Sequence, residues 1–234
     1  MCGRFAITLP NDAMAQLFAA QPANDLPQVP NFNVCPTRPV HVVRQGGAGR
    51  QLVAMRWGFL PVWYKTPADG PLLINARAET IAEKPTFRAA ARSRRCILPA
   101  SGFYEWTKTE EGARLPWYIR RRDGAPIAFA GVWQDWGEDA LSACAVVTTA
   151  ANEGISAIHH RMPLILEPEA WPLWLGEAGK GAAELMQPGA DGVLDWHRVS
   201  AAVNSNRAEG AALIEPWEEP PQPPPAEDPQ GSLF

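Results

Sequence analysis

The chain has 234 residues, of which 46% are apolar and 20% are charged, so it has the composition of a globular protein and is long enough to bury a core. It contains no long uncharged apolar run, and Arg4 and Pro10 interrupt the N-terminal stretch, so we expect neither a transmembrane helix nor a signal peptide. The net charge of −4 argues little against nucleic acid, because five acidic residues lie in a C-terminal stretch that lacks Lys and Arg.

Apolar spacing and turn residues predict the elements in chain order. In the first half they are a helix at 11–20 capped by Asn11 or Asp12, a loop at 22–30, an Asn- and Pro-rich turn at 31–37, a hairpin of strands at 40–44 and 51–57, a loop at 58–71, a strand at 72–74 and a helix at 86–94. In the second half they are strands at 95–99, 102–107, 117–121, 127–133 and 143–149, a helix at 152–158, a strand at 164–166, a helix at 168–175, a strand at 196–199 and a helix at 206–213.

Many short strands with few helices indicate an α+β fold with a mostly antiparallel, barrel-like β core and peripheral helices. We expect residues 1–217 to form one domain. Residues 218–234 are Pro-rich, acidic and poor in aromatic side chains, so we expect a disordered tail.

The N-terminal sequence places Cys2 directly after the initiator Met1. Removal of Met1 would leave a 1,2-aminothiol, whose amine has a pKa of about 7.7–8.0 and is partly neutral at cellular pH. Such a group can condense with an aldehyde to a thiazolidine ring. Alternatively its amine can act as a base for the thiol, as in N-terminal-nucleophile enzymes. A cysteine that is merely tolerated and buried is the third interpretation.

Three further sites combine polar side chains with neighbouring apolar strands. Glu105 lies among aromatic residues, where an apolar pocket would raise its pKa into the range useful for proton transfer; a solvent-facing Glu on an edge strand is the alternative. Asn75 follows a predicted strand and can orient an amine, or it is a turn residue. His159, His160 and Arg161 lie between a helix and a strand, where they suit acid–base catalysis and phosphate binding, or form a polar loop.

The four cysteines, at positions 2, 35, 96 and 144, lack the spacing of a metal site. Cys96 and Cys144 lie in apolar runs and are predicted core residues. We expect neither a metal nor another cofactor.

Taken together, several short motifs resemble the SRAP family (SOS-response-associated peptidase), in the order found in that family and over roughly residues 2–217. The motifs are Met1-Cys2-Gly3-Arg4-Phe5, Asn33-Val34-Cys35-Pro36, Trp57-Gly58-Phe59, Asn75-Ala76-Arg77-Ala78-Glu79-Thr80, Gly102-Phe103-Tyr104-Glu105-Trp106 and His159-His160-Arg161-Met162-Pro163.

The resemblance implies a barrel-like core with a groove for single-stranded DNA, in a monomer that acts in the DNA damage (SOS) response. It implies that Cys2 forms a thiazolidine with the ring-opened aldehyde of an abasic site. Asn75 would position the Cys2 amine, Glu105 would transfer protons and open the sugar ring, and His159 would be the catalytic His, with His160 secondary. An imine that fails to close could undergo β-elimination, which is an AP-lyase side reaction.

The resemblance also implies a set of DNA contacts. Arg4, Arg77 and Arg161 match positions that contact phosphates, and Pro36 and Trp63 match positions near the lesion. Tyr64 stands where relatives can carry a second Trp, and its ring can still stack on a base. The predicted DNA-binding residues are therefore Arg4, Asn33, Pro36, Trp63, Tyr64, Arg77 and Arg161.

The last five residues, Gln230 to Phe234, are similar to the peptide by which bacterial replication and repair proteins dock on the sliding clamp. Leu233 and Phe234 would fill an apolar pocket, and Gln230 would hydrogen-bond at its rim. An accidental terminus is the alternative. The tail indicates a bacterial source. Because we expect neither a transmembrane helix nor a signal peptide, we also expect a protein of the cytoplasm, associated with the nucleoid and not with a membrane.

Three functions remain open at this point. The first is a covalent trap for abasic sites in single-stranded DNA. The second is an N-terminal-nucleophile cysteine peptidase or hydrolase, for which autocatalytic removal of Met1 would be one activity. The third is a single-strand-binding module without chemistry. A Cys2→Ala variant separates the first two functions, which it would abolish, from the third.

Overall fold

The computed structural model describes residues 2–218. The strands are β1 (Phe5–Ile7), β2 (Gln21–Pro22), β3 (Asn31–Val34), β4 (Pro39–Gly46), β5 (Gly49–Trp57), β6 (Asn75–Arg77), β7 (Arg95–Ala100), β8 (Gly102–Lys108), β9 (Arg114–Arg121), β10 (Ile127–Trp136), β11 (Leu141–Ala150), β12 (Arg161–Pro163) and β13 (Leu194–Arg198). The helices are α1 (Asn11–Leu17), α2 (Pro85–Ser93), α3 (Glu153–Ser156) and α4 (Trp171–Leu175). Met1, almost all of the predicted tail and the clamp-binding residues lie outside the described part of the chain.

Five strands close into a barrel. β5, β4, β7, β10 and β11 are hydrogen-bonded neighbours in that order. β11 then pairs back to β5 in parallel, with Cys144 opposite Trp57. The other pairs of the ring are antiparallel. This architecture confirms the predicted α+β class with a mostly antiparallel, barrel-like core.

A second sheet covers the barrel, with the strand order β13-β9-β8-β1-β3. Aromatic side chains join the two sheets: the Phe5 ring lies 5.1 Å from Trp57 and 6.0 Å from Phe129, centroid to centroid. Phe103 packs on the same Phe129 ring. Because side chains alternate along β8, Tyr104 faces a separate cluster on the other side of the sheet. Burial of these rings holds β1, and with it the N-terminus, against the barrel.

Two predicted strands form a few residues away from their predicted positions. Residues 72–74 precede β6, so Asn75 lies within a strand and not after one. Similarly, the strand expected at 164–166 forms at Arg161–Pro163. Both strands pair with the carboxyl-terminal half of β11, and this tertiary pairing decides which residues join the ladder.

Three local predictions are wrong. The helix expected at 206–213 is absent from the described structure, which has 3₁₀ turns at Ala201–Asn204 and Ala211–Leu213 separated by Gly210 at φ 97°. α1 ends at Leu17, and its N-cap is Pro10, because the Asn11 side chain instead hydrogen-bonds His41 at 2.8 Å. The turn expected at 31–37 contains the strand β3.

The remaining predicted strands and helices are found with shifts of a few residues at their ends. Cys96 and Cys144 are fully buried, as predicted. Among the described residues, the structure contains no helix with the length and hydrophobicity needed to cross a bilayer.

Candidate active site

The chain reaches the site through the pairing of β1 with β8. Phe5 lies opposite Phe103, and the backbone N–H of Tyr104 donates to the carbonyl of Arg4 at 2.9 Å. Continuing this antiparallel register places Gly3 opposite Glu105. The residue next to Gly3, Cys2, is therefore held beside the β8 carboxylate.

The Cys2 side chain is fully buried, and its Sγ lies 3.8 Å from the carbonyl oxygen of Arg4. Burial raises the pKa of the Cys2 thiol, and the charge of Glu105 raises it further. The sulfur is therefore a neutral thiol at neutral pH. It needs a nearby base before it can act as a nucleophile.

Asn75 connects β6 to the N-terminus. Its Nδ2 donates a hydrogen bond of 2.9 Å to the carbonyl oxygen of Cys2. Its Oδ1 is buried and has no hydrogen-bond partner among residues 2–218. An amide fixed by its donor, with an open acceptor, is suited to accept an N–H from a group at Cys2.

Glu105 is only 2% exposed, in a strand that has neighbours on both sides. The alternative interpretation of a solvent-facing Glu on an edge strand is therefore wrong. Burial raises the pKa of the Glu105 carboxyl, and the charge of His160 acts in the opposite direction. A raised pKa moves this carboxyl towards the range in which a group can both accept and donate a proton.

The two histidines lie on the segment between α3 and β12. The helix α3 is capped at its N-terminus by Asn152. The Arg161 backbone N–H donates to Nδ1 of His159 at 3.0 Å, and the rings of His159 and His160 stack 4.4 Å apart. Burial lowers the pKa of His159, and the charge of His159 lowers the pKa of His160. Both rings are therefore neutral at pH 7 and can accept protons.

A cleft of about 580 Å³ opens over Glu105 and His159. Its walls carry three cations, an aromatic ring and two further residues: Arg4, Lys108, Arg114, Trp106, Gly3 and Asn204. The Arg114 guanidinium lies 5.3 Å from the Trp106 ring centroid, and the Trp106 Nε1 donates to Asn204 at 2.6 Å. Cations and an aromatic face around a buried carboxylate are suited to a phosphate-bearing, unstacked nucleic acid strand.

Sequence reasoning did not single out Lys108, Arg114 or Asn204. Lys108 pairs with Arg114 at the end of the hairpin formed by β8 and β9. The predicted strands stopped at residue 107 and began again at residue 117, so both cations lay outside them. The signal in the sequence that could have identified Lys108 and Arg114 is their position on either side of a short turn.

Arg4 and Asn33 form one unit at the cleft wall. Arg4 Nη1 donates to Asn33 Oδ1 at 2.6 Å and to the carbonyl of Val203 at 2.9 Å. The Asn33 side chain is 8% exposed, and its Nδ2 donates to the carbonyl of Ala208 at 2.8 Å. Asn33 therefore fixes the direction of Arg4, and a contact of Asn33 itself with DNA stays a prediction.

Arg77 and Arg161 have different environments. Arg77 is exposed on β6. The Arg161 guanidinium is buried, with Nη1 2.6 Å and Nη2 3.0 Å from the two carboxylate oxygens of Glu79, and it also donates to the carbonyl of Thr148. This ion pair spans β11 and links β6, which carries Asn75, to the histidine segment. The positioning role of Glu79 was not predicted.

The three predicted lesion-side residues do not line the cleft. Trp63 is 55% exposed in the loop after β5, next to the exposed Val62. Tyr64 is half-buried, and its carbonyl accepts a hydrogen bond from Trp136 at 3.0 Å. Pro36 is half-buried in the turn before β4. Their contacts with DNA remain predictions.

Within the part of the chain that the structure describes, no three His, Cys, Asp or Glu side chains are grouped so that they could hold a metal ion.

Comparison with known proteins places this chain in a family. The sequence model of the family described as "SOS response associated peptidase (SRAP)" matches residues 1–206. This chain belongs to the SRAP family. All of the catalytic residues predicted above lie within the matched SRAP region.

Two curated SRAP relatives match the chain along nearly all of their length. The Bacillus subtilis "Abasic site processing protein YoqW" is 35% identical over 224 residues, which cover 92% of this chain and 99% of the relative. The Escherichia coli "Abasic site processing protein YedK" is 35% identical over 226 residues, covering 92% and 100%. A crystal structure of a Bacteroides thetaiotaomicron protein superimposes with a TM-score of 0.81 at 22% identity, over 93% of this chain and 100% of that protein, which supports the fold.

Proposed function

We propose that this SRAP protein traps abasic sites in single-stranded DNA by forming a covalent thiazolidine through Cys2. The observation that carries the proposal is the fixation of Cys2 by the Asn75 hydrogen bond beside the buried Glu105 carboxyl. The names of the curated relatives support an abasic site as the substrate. Its ring-opened form supplies the aldehyde that a 1,2-aminothiol traps.

The pKa values set the order of the steps. Hydrolysis of the Met1–Cys2 peptide bond, by the protein itself or by an aminopeptidase, first frees the amine. The neutral amine attacks the aldehyde carbon while one of its N–H groups donates a hydrogen bond to Asn75 Oδ1, and one amine proton moves to the carbonyl oxygen to give a hydroxyl. Glu105 passes a proton to this departing hydroxyl and takes the second proton from the nitrogen, so that one water leaves and an imine forms. The Cys2 thiol, which burial keeps protonated, then adds to the imine carbon while its proton moves to the nitrogen.

Glu105 and His159 have separate tasks in this scheme. Glu105 transfers protons at the amine and at the sugar, where it assists ring opening. His159, neutral because burial lowers its pKa, accepts a proton from the sugar side of the cleft. If the imine does not close, removal of a proton next to it by Glu105 leads to β-elimination and strand cleavage.

The positive charges of the cleft would hold the DNA strand. The side chains of Arg4, Lys108 and Arg114 line the cleft, and the exposed Arg77 on β6 would extend the positive surface. Trp63 offers an exposed ring for stacking near the lesion. We expect binding to weaken steeply with salt, because each phosphate contact releases counterions.

A general cysteine peptidase fits the site less well. Peptidases of that type use a thiolate, whereas burial raises the pKa of the Cys2 thiol. A noncovalent binding module would not need a carboxyl buried beside Cys2, since burying it is unfavourable.

The proposal is tested by incubating the protein with a single-stranded oligonucleotide that carries one abasic site and heating the product in denaturant. We expect a heat-stable band that is absent with Cys2→Ala and unchanged with Cys35→Ala, a matched thiol control outside the cleft lining. Cleavage of unrelated peptides together with no stable band would instead establish the peptidase.

We also propose that the C-terminal residues Gln230, Leu233 and Phe234 dock on the replication sliding clamp. The support is the sequence pattern alone, at the end of an acidic, Pro-rich stretch. Deletion of residues 230–234 is expected to abolish clamp binding and to leave the yield of the DNA adduct unchanged. Unaltered clamp binding by the truncated protein would refute this part.

A further inference from the structure

A second and larger cavity, of about 730 Å³, lies between α2 and the segment 179–188. We call it the α2 cavity. Its floor is apolar and includes the buried Ile81 and Ala182 and the half-buried Met186. None of the site residues predicted from the sequence lines it.

The rim of the α2 cavity is positively charged. Arg92, Arg95 and Lys180 line it with a single carboxylate, Glu79. That carboxylate already pairs with Arg161 at 2.6 Å. Three positive charges therefore remain over an apolar floor, a combination that favours an anionic ligand with an apolar part.

Arg95 is fixed in place without a carboxylate. Its Nη1 donates to the carbonyls of Ala91 at 2.9 Å and of Arg92 at 2.8 Å, and its Nε donates to the carbonyl of Trp174. Its Nη2 makes no hydrogen bond to residues 2–218. Burial lowers the pKa of this guanidinium, so a neighbouring anion would stabilise its charge.

One stretch of chain joins the α2 cavity to the reactive end of the protein. β6 carries Asn75, which hydrogen-bonds the Cys2 carbonyl, and the exposed Arg77, and Glu79 follows at the cavity wall. Four residues of extended chain span at most about 13 Å. At an axial rise of about 3.4 Å per nucleotide in a stacked strand, this is about four nucleotide steps.

We propose that the α2 cavity is a second subsite for the same DNA strand, which holds a phosphate-bearing nucleotide within about four steps of the abasic site. This inference rests on the proposed function. Arg92, Arg95 and Lys180 contact the phosphates, and the apolar floor receives the sugar or base. Arg77 lies on the path between the two sites and bridges them.

The test measures binding to oligonucleotides that carry a reduced abasic analogue, which cannot form an imine. A short strand has two nucleotides on each side of the analogue, and two longer strands extend it by six nucleotides on the 5′ or the 3′ side. The double variant Arg92→Ala/Lys180→Ala is compared with Arg120→Ala/Arg122→Ala, which removes the same charge from exposed positions outside both cavities.

We expect one of the two extensions to increase the affinity of the unaltered protein by at least about tenfold. The Arg92→Ala/Lys180→Ala variant should lose this gain and keep the affinity for the short strand. Its slope of log affinity against log salt should be smaller by about 1.4, because two phosphate contacts to a single strand are lost. The control variant should keep the gain.

Equal binding of the extended strand by the double variant and the unaltered protein would overturn the subsite. So would an equal loss for the short and the long strands. If inorganic phosphate at constant ionic strength removes the gain, the cavity binds free anions and the inference also fails. Failure of the unaltered protein to form an adduct with a true abasic site is a separate result, which overturns the proposed function.

Discussion

At the scale of single residues, Glu105 shows most clearly how the site differs from an ordinary core. A carboxyl that is 2% exposed has lost its hydration, and its raised pKa records that loss. At pH 7 the folded protein holds this group less favourably than the unfolded chain does. A residue of this kind lowers stability, and under the proposed function proton transfer is the reason for its position.

Replacing Glu105 by Gln is expected to slow adduct formation by on the order of 10²–10⁴-fold, because proton transfer is lost. The same variant should be more stable than the unaltered protein by about 0.5–2 kcal/mol at pH 7, because an unfavourable buried charge is removed. Single-turnover adduct kinetics and denaturant unfolding measure the two effects. A Gln variant that is both slower and less stable would contradict this account and assign Glu105 a structural role.

The two histidines provide a second residue-scale prediction. His159 lines the cleft and is half-buried, whereas His160 is exposed and stacks on it. We expect His159→Ala to slow adduct formation on the order of 10²-fold and His160→Ala to have a much smaller effect. Rates at saturating oligonucleotide separate chemistry from binding. Equal losses in the two variants would mean that the stacked pair acts as one unit.

At the scale of elements, β11 organises the site, because its carboxyl-terminal half carries β6 on one side and β12 on the other. The ion pair between Arg161 and Glu79 crosses it, with the Thr148 carbonyl between. The ion pair therefore adds to the pairing with β11 in fixing the separation of Asn75 and His159.

Replacing Glu79 by Gln should lower the free energy of unfolding by about 1–3 kcal/mol, since Arg161 is left buried with a weaker partner. It should also slow adduct formation, because the histidine segment is no longer fixed. Glu83→Gln is the matched control, since Glu83 is exposed nearby and makes no ion pair in the described structure. An adduct rate that is unchanged in Glu79→Gln would show that the ion pair serves stability alone.

The elements also show where sequence reasoning succeeds. The strands from residue 95 to residue 150 were predicted because apolar runs and turn residues mark each of them. β6 and β12 have three residues each, and their ends are set by which residues pair with β11. No local sequence pattern therefore defines these ends. For the same reason the sequence did not show that Glu79 pairs with Arg161, 82 positions away.

At the scale of the whole molecule, the site exists because the second sheet lies on the barrel. Cys2 and Glu105 come from that sheet. Asn75 comes from β6 and His159 from the segment before β12, and both of these strands pair with the barrel strand β11. The types of these residues suggested chemistry, but only the family resemblance brought them together. Lys108 and Arg114 were missed, since their role depends on a hairpin end that faces the cleft.

The pH dependence of folding is a property of the whole molecule. Burial lowers the pKa of His41, which is 3% exposed, to about 4. The unfolded chain therefore binds a proton that the folded protein excludes, and stability should fall as the pH decreases from about 6.5 towards 4. The contribution of Glu105 to the pH dependence of stability has the opposite sign, because its pKa is raised in the folded protein.

The contribution of His41 is measured by denaturant unfolding between pH 7 and pH 4 in a Glu105→Gln background, with and without His41→Gln. We expect the His41→Gln variant to lose less stability on acidification. A slope that is identical in both proteins would show that His41 is protonated in the folded state.

The most direct test of the central claim is the intact mass of the protein after incubation with a single-stranded oligonucleotide that carries one abasic site. We expect a species with the mass of the protein without Met1 plus the oligonucleotide minus one water, and we expect it to be absent with Cys2→Ala. An adduct that persists in Cys2→Ala, or bound DNA with no adduct although Met1 is gone, would contradict it.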